Sequence, residues 1–269
     1  MQAELDALKA NHTWELTDLP LDNMTDSSLF IKHTKSPFVA LLVYVDGLIV
    51  ASDNIQEITS IKAYLHSTIK IKDLGTLKYF LGFEVARCAS GISICQRKYT
   101  LELLEEFGFL EAKPVQTPIS PGLDLHDSNV ALLSDITDKP TVIYLQAAHR
   151  ILQYLKTAPG QGLFYLGTND LKIQGFSNSV WASCSLTRKS VTGYCNFIGN
   201  SLVSWKSKKQ STVSRSSLEA EYRALATATC ELQWLAYLFE DFHISVPSVL
   251  LFCDNEFAIH LAKISVFHQ

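Results

Sequence analysis

This 269-residue chain has no long apolar run, no basic excess and no paired cysteine motif. The longest apolar stretch, Phe38 to Ala51, is interrupted by Asp46-Gly47 and falls short of the roughly 20 residues a helix needs to cross a bilayer. The start, Met1-Gln2-Ala3-Glu4-Leu5-Asp6, is acidic and lacks a positive region followed by an apolar one, so no secretory signal is expected and a cytoplasmic or nuclear location is. A net charge of -4 and a pI near 6.1 argue against binding nucleic acid by bulk charge, leaving only a local basic stripe for that role. Cys88, Cys95, Cys184, Cys195, Cys230 and Cys253 stand far apart without a C-x-x-C pair, which argues against a zinc site and, with no export signal, against a disulfide framework. They read as reduced core thiols. Asn11-His12-Thr13 and Asn23-Met24-Thr25 match the glycosylation sequon, but a chain that stays inside never meets that machinery.

What is present suffices for one large or two modest domains, with 47% hydrophobic residues. A short amphipathic helix, Ala3 to Lys9, leads through Leu19-Pro20-Leu21 into polar Asp22 to Ser28. Phe38 to Val45 and Leu48 to Ser52 then read as two strands turning at Asp46-Gly47, a strong hairpin signal because such a turn needs positive φ at its centre. Asn54 opens a helix to about Lys70, with Ile55, Ile58, Ile61, Leu65 and Ile69 at helical spacing. Strands over Leu77 to Val85 and Ile92 to Cys95 and a helix from Tyr99 to Phe107 follow. Residues 119–140 read as a linker. The helix after it, Ile143 to Lys156, carries His149, which has no partner at metal spacing and reads as a solvated or core-edge residue.

From Gly162 onward the pattern is strand-rich: Gly162 to Tyr165 and Leu171 to Phe176 as an opening β segment, then Val191 to Ile198 and Leu202 to Trp205 joined by Gly199-Asn200. A long helix from about Ser216 to Phe242, a strand Val249 to Cys253 and a helix from Asn255 complete it. The result is a mixed α/β sheet. Glu219 and Glu221 point about 200° apart on the long helix, so only one faces the sheet. Asp254 ends the last strand, where it either joins a glutamate to hold a divalent cation or N-caps the next helix.

Two stretches carry a family resemblance. Val43-Tyr44-Val45-Asp46-Gly47-Leu48 resembles the Y-V-D-D hairpin of copia-type retrotransposon reverse transcriptases, with Gly47 in place of the second aspartate; on residues alone Asp46 reads as a turn residue before it reads as a catalytic one. The resemblance also implies an aspartate on an earlier strand, between Leu21 and Phe30, where few residues stand, so much of the polymerase fingers and palm is expected to be missing. Ser204-Trp205-Lys206-Ser207-Lys208-Lys209-Gln210, Arg215-Ser216-Ser217, Glu219-Ala220-Glu221-Tyr222-Arg223-Ala224-Leu225, Cys253-Asp254-Asn255 and Val266-Phe267-His268 resemble the ribonuclease H domain of the same polyproteins.

The resemblance implies a partial α+β reverse-transcriptase palm and connection followed by a ribonuclease H-like α/β domain. It divides the chain into residues 1–29, a polymerase remnant; 30–118, the partial palm; 119–161, linker and connection helix; and 162–269. It further implies Mg2+ on Glu221 and Asp254, an RNA/DNA hybrid as partner, and Lys206, Lys208, Lys209, Arg215 and Arg188 along its phosphates; by themselves those charges read equally as solvated loops. Trp181, Trp205, Tyr194 and Phe197 read as core rather than as platforms for bases. Where the family reads G-Y-S-D-A-D-W, this chain has Asn178 and Val180, and a last carboxylate is expected only past Gln269. The reading is of a catalytically impaired polyprotein fragment, with a non-catalytic nucleic-acid-binding module or an inert remnant as the alternative.

Overall fold

A computed structural model describes residues 26–32, 38–45, 47–119, 142–168, 170–184 and 187–264. The expected helix at Ala3 to Lys9, Asp46, most of the linker and the Val266 to His268 motif lie outside these residues. The chain divides into two units: Met1–Asp73 with Tyr237–Ile244, and Leu74–Ala236 with Ser245–Gln269.

In the first unit, β1 (Leu29–Lys32), β2 (Val39–Val43) and β3 (Leu48–Ser52) form an antiparallel meander in the order β1-β2-β3. Tyr44 and Gly47 exchange backbone hydrogen bonds of 2.9 and 3.4 Å and close the β2–β3 hairpin. Gly47 therefore closes the turn with Tyr44 instead of standing at its centre. Helix α1 (Ile55–Ile69) starts where Asn54 Oδ1 accepts from the Gln56 amide and stops at Lys70, in the left-handed region at φ 51°. Its spacing is as expected, yet no residue of it is buried, and Ile55 is largely exposed.

In the second unit, β4 (Tyr79–Phe80), β5 (Phe83–Cys88), β6 (Gly91–Cys95) and β7 (Gly162–Leu166) make one antiparallel sheet in that order. The single strand expected over Leu77 to Val85 is broken at Leu81-Gly82, both at positive φ (49° and 80°), which suits a tight two-residue turn. β7, expected to open the C-terminal strands, instead pairs with β6. Helices α2 (Arg97–Glu106) and α3 (Val142–Thr157) bury Leu104, Tyr144, Ala147 and Leu152. The His149 ring lies 5.0 Å from that of Phe109 and is tilted 50° to it, a place at the edge of the core.

The second sheet runs β10 (Ser201–Lys209), β9 (Val191–Ile198), β8 (Ile173–Val180), β11 (Val249–Phe252). β9 runs antiparallel to both its neighbours, β10 and β8, and β11 lies parallel to β8. Helix α4 (Ser217–Asp241) covers one face through Ala220, Ala224, Ala228, Leu232 and Leu235, all buried. The alanines let the helix approach closely, and Gly175 beneath it has no room for a side chain: a Cβ there would lie 2.7 Å from Asn196 Oδ1 and 2.8 Å from Leu232 Cδ1. A last helix, α5 (Glu256–Lys263), follows β11. All six cysteines are free, but only Cys184 is buried, so the expectation of core thiols fails for exposed Cys88 and Cys230.

Candidate functional site

The N-terminus of α4 decides which glutamate faces the sheet. Ser216 Oγ accepts from the Glu219 amide at 3.1 Å, and the Glu219 carboxylate accepts in return from the Arg215 amide at 2.8 Å. This is a capping arrangement that satisfies amides with no partner inside the helix. Glu219 also pairs with Arg223 one turn on, at 2.9 Å, and the Arg215 amide and Arg223 together hold its carboxyl below the usual range. Two residues further round the helix, Glu221 is only 6% exposed, and its Oε1 accepts from the Ser179 amide of β8 at 2.9 Å. Helix phase thus separates a capping carboxylate from an inward-facing one.

Asp254 enters from the end of β11. Asn255, not Asp254, caps α5, its Oδ1 accepting from the Ala258 amide at 2.9 Å, so the capping alternative for Asp254 does not hold. Between Glu221 and Asp254 stands Cys253. Its thiol reaches Glu221 Oε2 at 3.9 Å, and its sulfur accepts from the Asn255 amide at 3.4 Å. One potential ligand atom from each of Glu221, Cys253 and Asp254 lies within 4.8 Å of the others. Burial is the main force pushing the Glu221 carboxyl and the Cys253 thiol upward.

Beside this cluster a cleft of about 590 Å³ opens along β8, β9 and β11, with Ser177, Asn178, Cys253 and Asp254 on its wall. Asn178 therefore shares a concavity with Asp254, carrying an amide where a third carboxylate was expected. Phe176 and Phe252 also line it, their rings stacked at 5.0 Å. Gln210 holds the neighbouring backbone, its side-chain nitrogen donating to Thr192 Oγ1 and to the Ala220 carbonyl, both at 3.0 Å.

The expected basic residues do not act as one group. Lys206 lines the cleft, and strand alternation puts exposed Lys208 on the same face and Lys209 on the other. Neither Lys206 nor Lys208 makes an ion pair among the described residues. Arg188 is exposed in the loop before β9, and the Arg215 side chain is exposed ahead of α4. Of the aromatics, Tyr194 is buried and donates to Glu231 at 3.2 Å, as a core residue should. Trp181 and Trp205 are instead substantially exposed, Trp181 donating to the Ser214 carbonyl at 3.0 Å. Asp26, in the stretch where an earlier-strand aspartate was expected, accepts from the amide and hydroxyl of Ser28 at 2.9 and 2.6 Å, a turn role.

Cys253 is the site residue that the sequence reading missed. Its signal was its place next to Asp254, directly after a strand that ends at Phe252.

The reverse transcriptase (RNA-dependent DNA polymerase) family matches residues 9–121. The retrovirus-related Pol polyprotein from transposon RE1 of Arabidopsis thaliana is 33% identical over 281 residues, covering 93% of this chain and 19% of that protein. That from transposon TNT 1-94 of Nicotiana tabacum is 26% identical, covering 92% of this chain and 22% of that protein. An uncharacterized mitochondrial protein of Arabidopsis thaliana is 34% identical over 225 residues, covering 72% of this chain and 93% of that protein. The chain spans about a fifth of the length of the Pol polyproteins it matches. No solved structure matches it.

Proposed function

The chain belongs to the copia-type retrotransposon Pol family, and from that premise we propose that its C-terminal segment is a ribonuclease H-type domain that binds RNA/DNA hybrid while its metal-dependent cleavage is impaired. The sheet order β10-β9-β8-β11, with β11 parallel to β8 and α4 between β10 and β11 in sequence, supports the fold assignment. The observation that carries the impairment is Asn178 on the cleft wall beside Asp254.

Magnesium takes a near-octahedral shell of oxygens and relies on anionic ones to displace its waters. Hybrid cleavage of this type uses two such ions, bridged by several carboxylates. Here the cleft wall offers the exposed Asp254 carboxylate, a neutral amide and a sulfur, and a Glu221 carboxylate engaged by the Ser179 amide stands next to Cys253 and Asp254. That donor set does not fit a pair of magnesium ions. For the polymerase part, Gly47 supplies no ligand beside Asp46, and we assign that region no nucleotidyl transfer.

Hybrid binding draws on the cleft, Lys206 and Lys208. A labelled RNA/DNA hybrid incubated with the whole chain should be retained at low salt and remain uncut in Mg2+ or Mn2+. Cleavage that disappears in Glu221→Gln overturns the impairment, and failure to retain the hybrid at low salt overturns the binding.

A further inference from the structure

We propose that the core beneath α4 is a binding site for an internal water molecule, held by the side chains of Asn196 and Ser177. The two residues stand on adjacent strands and face the helix together. In β8 the buried positions are Ile173, Gly175 and Ser177, and in β9 they are Thr192, Tyr194 and Asn196, so the two-residue alternation of a strand turns all six to the face that α4 covers. The register pairs Gly175 with Asn196 and Ser177 with Tyr194, which makes Asn196 and Ser177 diagonal neighbours.

Asn196 is fully buried and Ser177 is 5% exposed, yet Asn196 Oδ1, Asn196 Nδ2 and Ser177 Oγ have no hydrogen-bond partner. Buried polar atoms are almost always satisfied, because leaving one unpaired forfeits its hydration without return. Exchanging the oxygen and nitrogen of the amide cures nothing, since both ends lack a partner. The amide reaches across to β8: its Oδ1 lies 2.7 Å from the place a Cβ on Gly175 would take, and Ser177 is the next residue of β8 on that face. Diagonal side chains of paired strands stand about 7–8 Å apart or less, a span that one small molecule bonded at each end can bridge.

The three atoms also define the guest. An amide oxygen accepts, an amide nitrogen donates and a hydroxyl does either, so the guest both donates and accepts, whereas a metal cation or a simple anion does only one of these. The helix face above is apolar, with Ala224, Ala228 and Leu232 all buried, and so refuses a charged guest. Three polar partners are what a buried water usually has.

Oxygen-17 relaxation dispersion on the purified full chain counts the waters held for longer than the molecule takes to tumble. Asn196→Leu keeps the size of the side chain and removes both polar atoms, and we expect it to hold at least one water fewer than the wild type. In the wild type, magnetisation should pass from water to the side-chain NH2 protons of Asn196. Ser177→Ala removes one of the three partners and should speed the escape of the water about fivefold, as the loss of one hydrogen bond implies. Circular dichroism checks that each variant folds; should Asn196→Leu not fold, the transfer and the Ser177→Ala rate decide. Equal water counts in the wild type and folded Asn196→Leu, no transfer to the Asn196 amide, or an unchanged escape rate in Ser177→Ala each overturn the proposal.

Discussion

At the scale of single residues, Asn178 on the cleft wall and Glu221 next to Cys253 and Asp254 set what the site can do. Replacing Asn178 with Asp restores a full negative charge on the cleft wall, and Mn2+ affinity in calorimetric titration should rise about tenfold; an unchanged affinity would mean that position 178 does not reach the ion. Glu221 carries a pH signature. Burial, with the negative charge of Asp254 adding, raises its carboxyl against the pull of the Ser179 amide. The native state then holds this proton more tightly than the unfolded chain. The group's contribution to stability is therefore full below the unfolded pKa and is lost as pH rises through the raised folded one. Glu221→Gln cannot titrate, so its thermal midpoint should gain on the wild type as pH rises above the ordinary glutamate range of about 4; parallel curves would refute the burial argument. Helix phase made it legible that only one of Glu219 and Glu221 faces inward, and the family resemblance picked Glu221. Cys253 was not legible, because a lone cysteine carries no spacing signal and only the fold brings its thiol to within 3.9 Å of Glu221 Oε2.

At the scale of elements, helices were easier to read than strand partnerships. α1 to α4 announced themselves by apolar spacing and, for α1 and α4, by a capping Asn54 or Ser216, all signals contained within one turn or two. The strands of the β4–β7 sheet lacked such local marks. The apolar run from Leu77 to Val85 continues through a turn because Leu81 occupies a left-handed position where asparagine is the usual choice. Leu81 is 48% exposed, so little packing is at stake. Leu81→Asn should raise stability by about 0.5–1 kcal/mol, read as a higher urea midpoint at unchanged slope. A lower midpoint would show that the leucine side chain matters more than the backbone strain. β7 was misassigned for a different reason: its partner β6 lies across α2, the linker and α3, and no local pattern encodes so distant a pairing.

At the scale of the whole molecule, the charge balance makes binding a local affair. With a net charge of -4, attraction to phosphates has to come from places such as Lys206 and Lys208. Replacing both with Glu should flatten the plot of log affinity against log salt by about two phosphate contacts, roughly 1.4–1.8 in slope. A uniform loss of affinity with the slope intact would point to misfolding instead, and no change would remove these lysines from the interface. Strand alternation already separated Lys209 from them in the sequence, although the run reads as one basic patch. The parallel pairing of β11 with β8 has a further consequence, in time rather than space. Antiparallel β9 and β10 can join β8 as they emerge from a ribosome, but its other edge must wait for Val249 to Phe252. At about 5–20 residues per second the wait from Val180 lasts roughly four to fifteen seconds. Throughout it the nascent chain shows a bare strand edge, open to any chaperone or neighbouring chain that pairs with one.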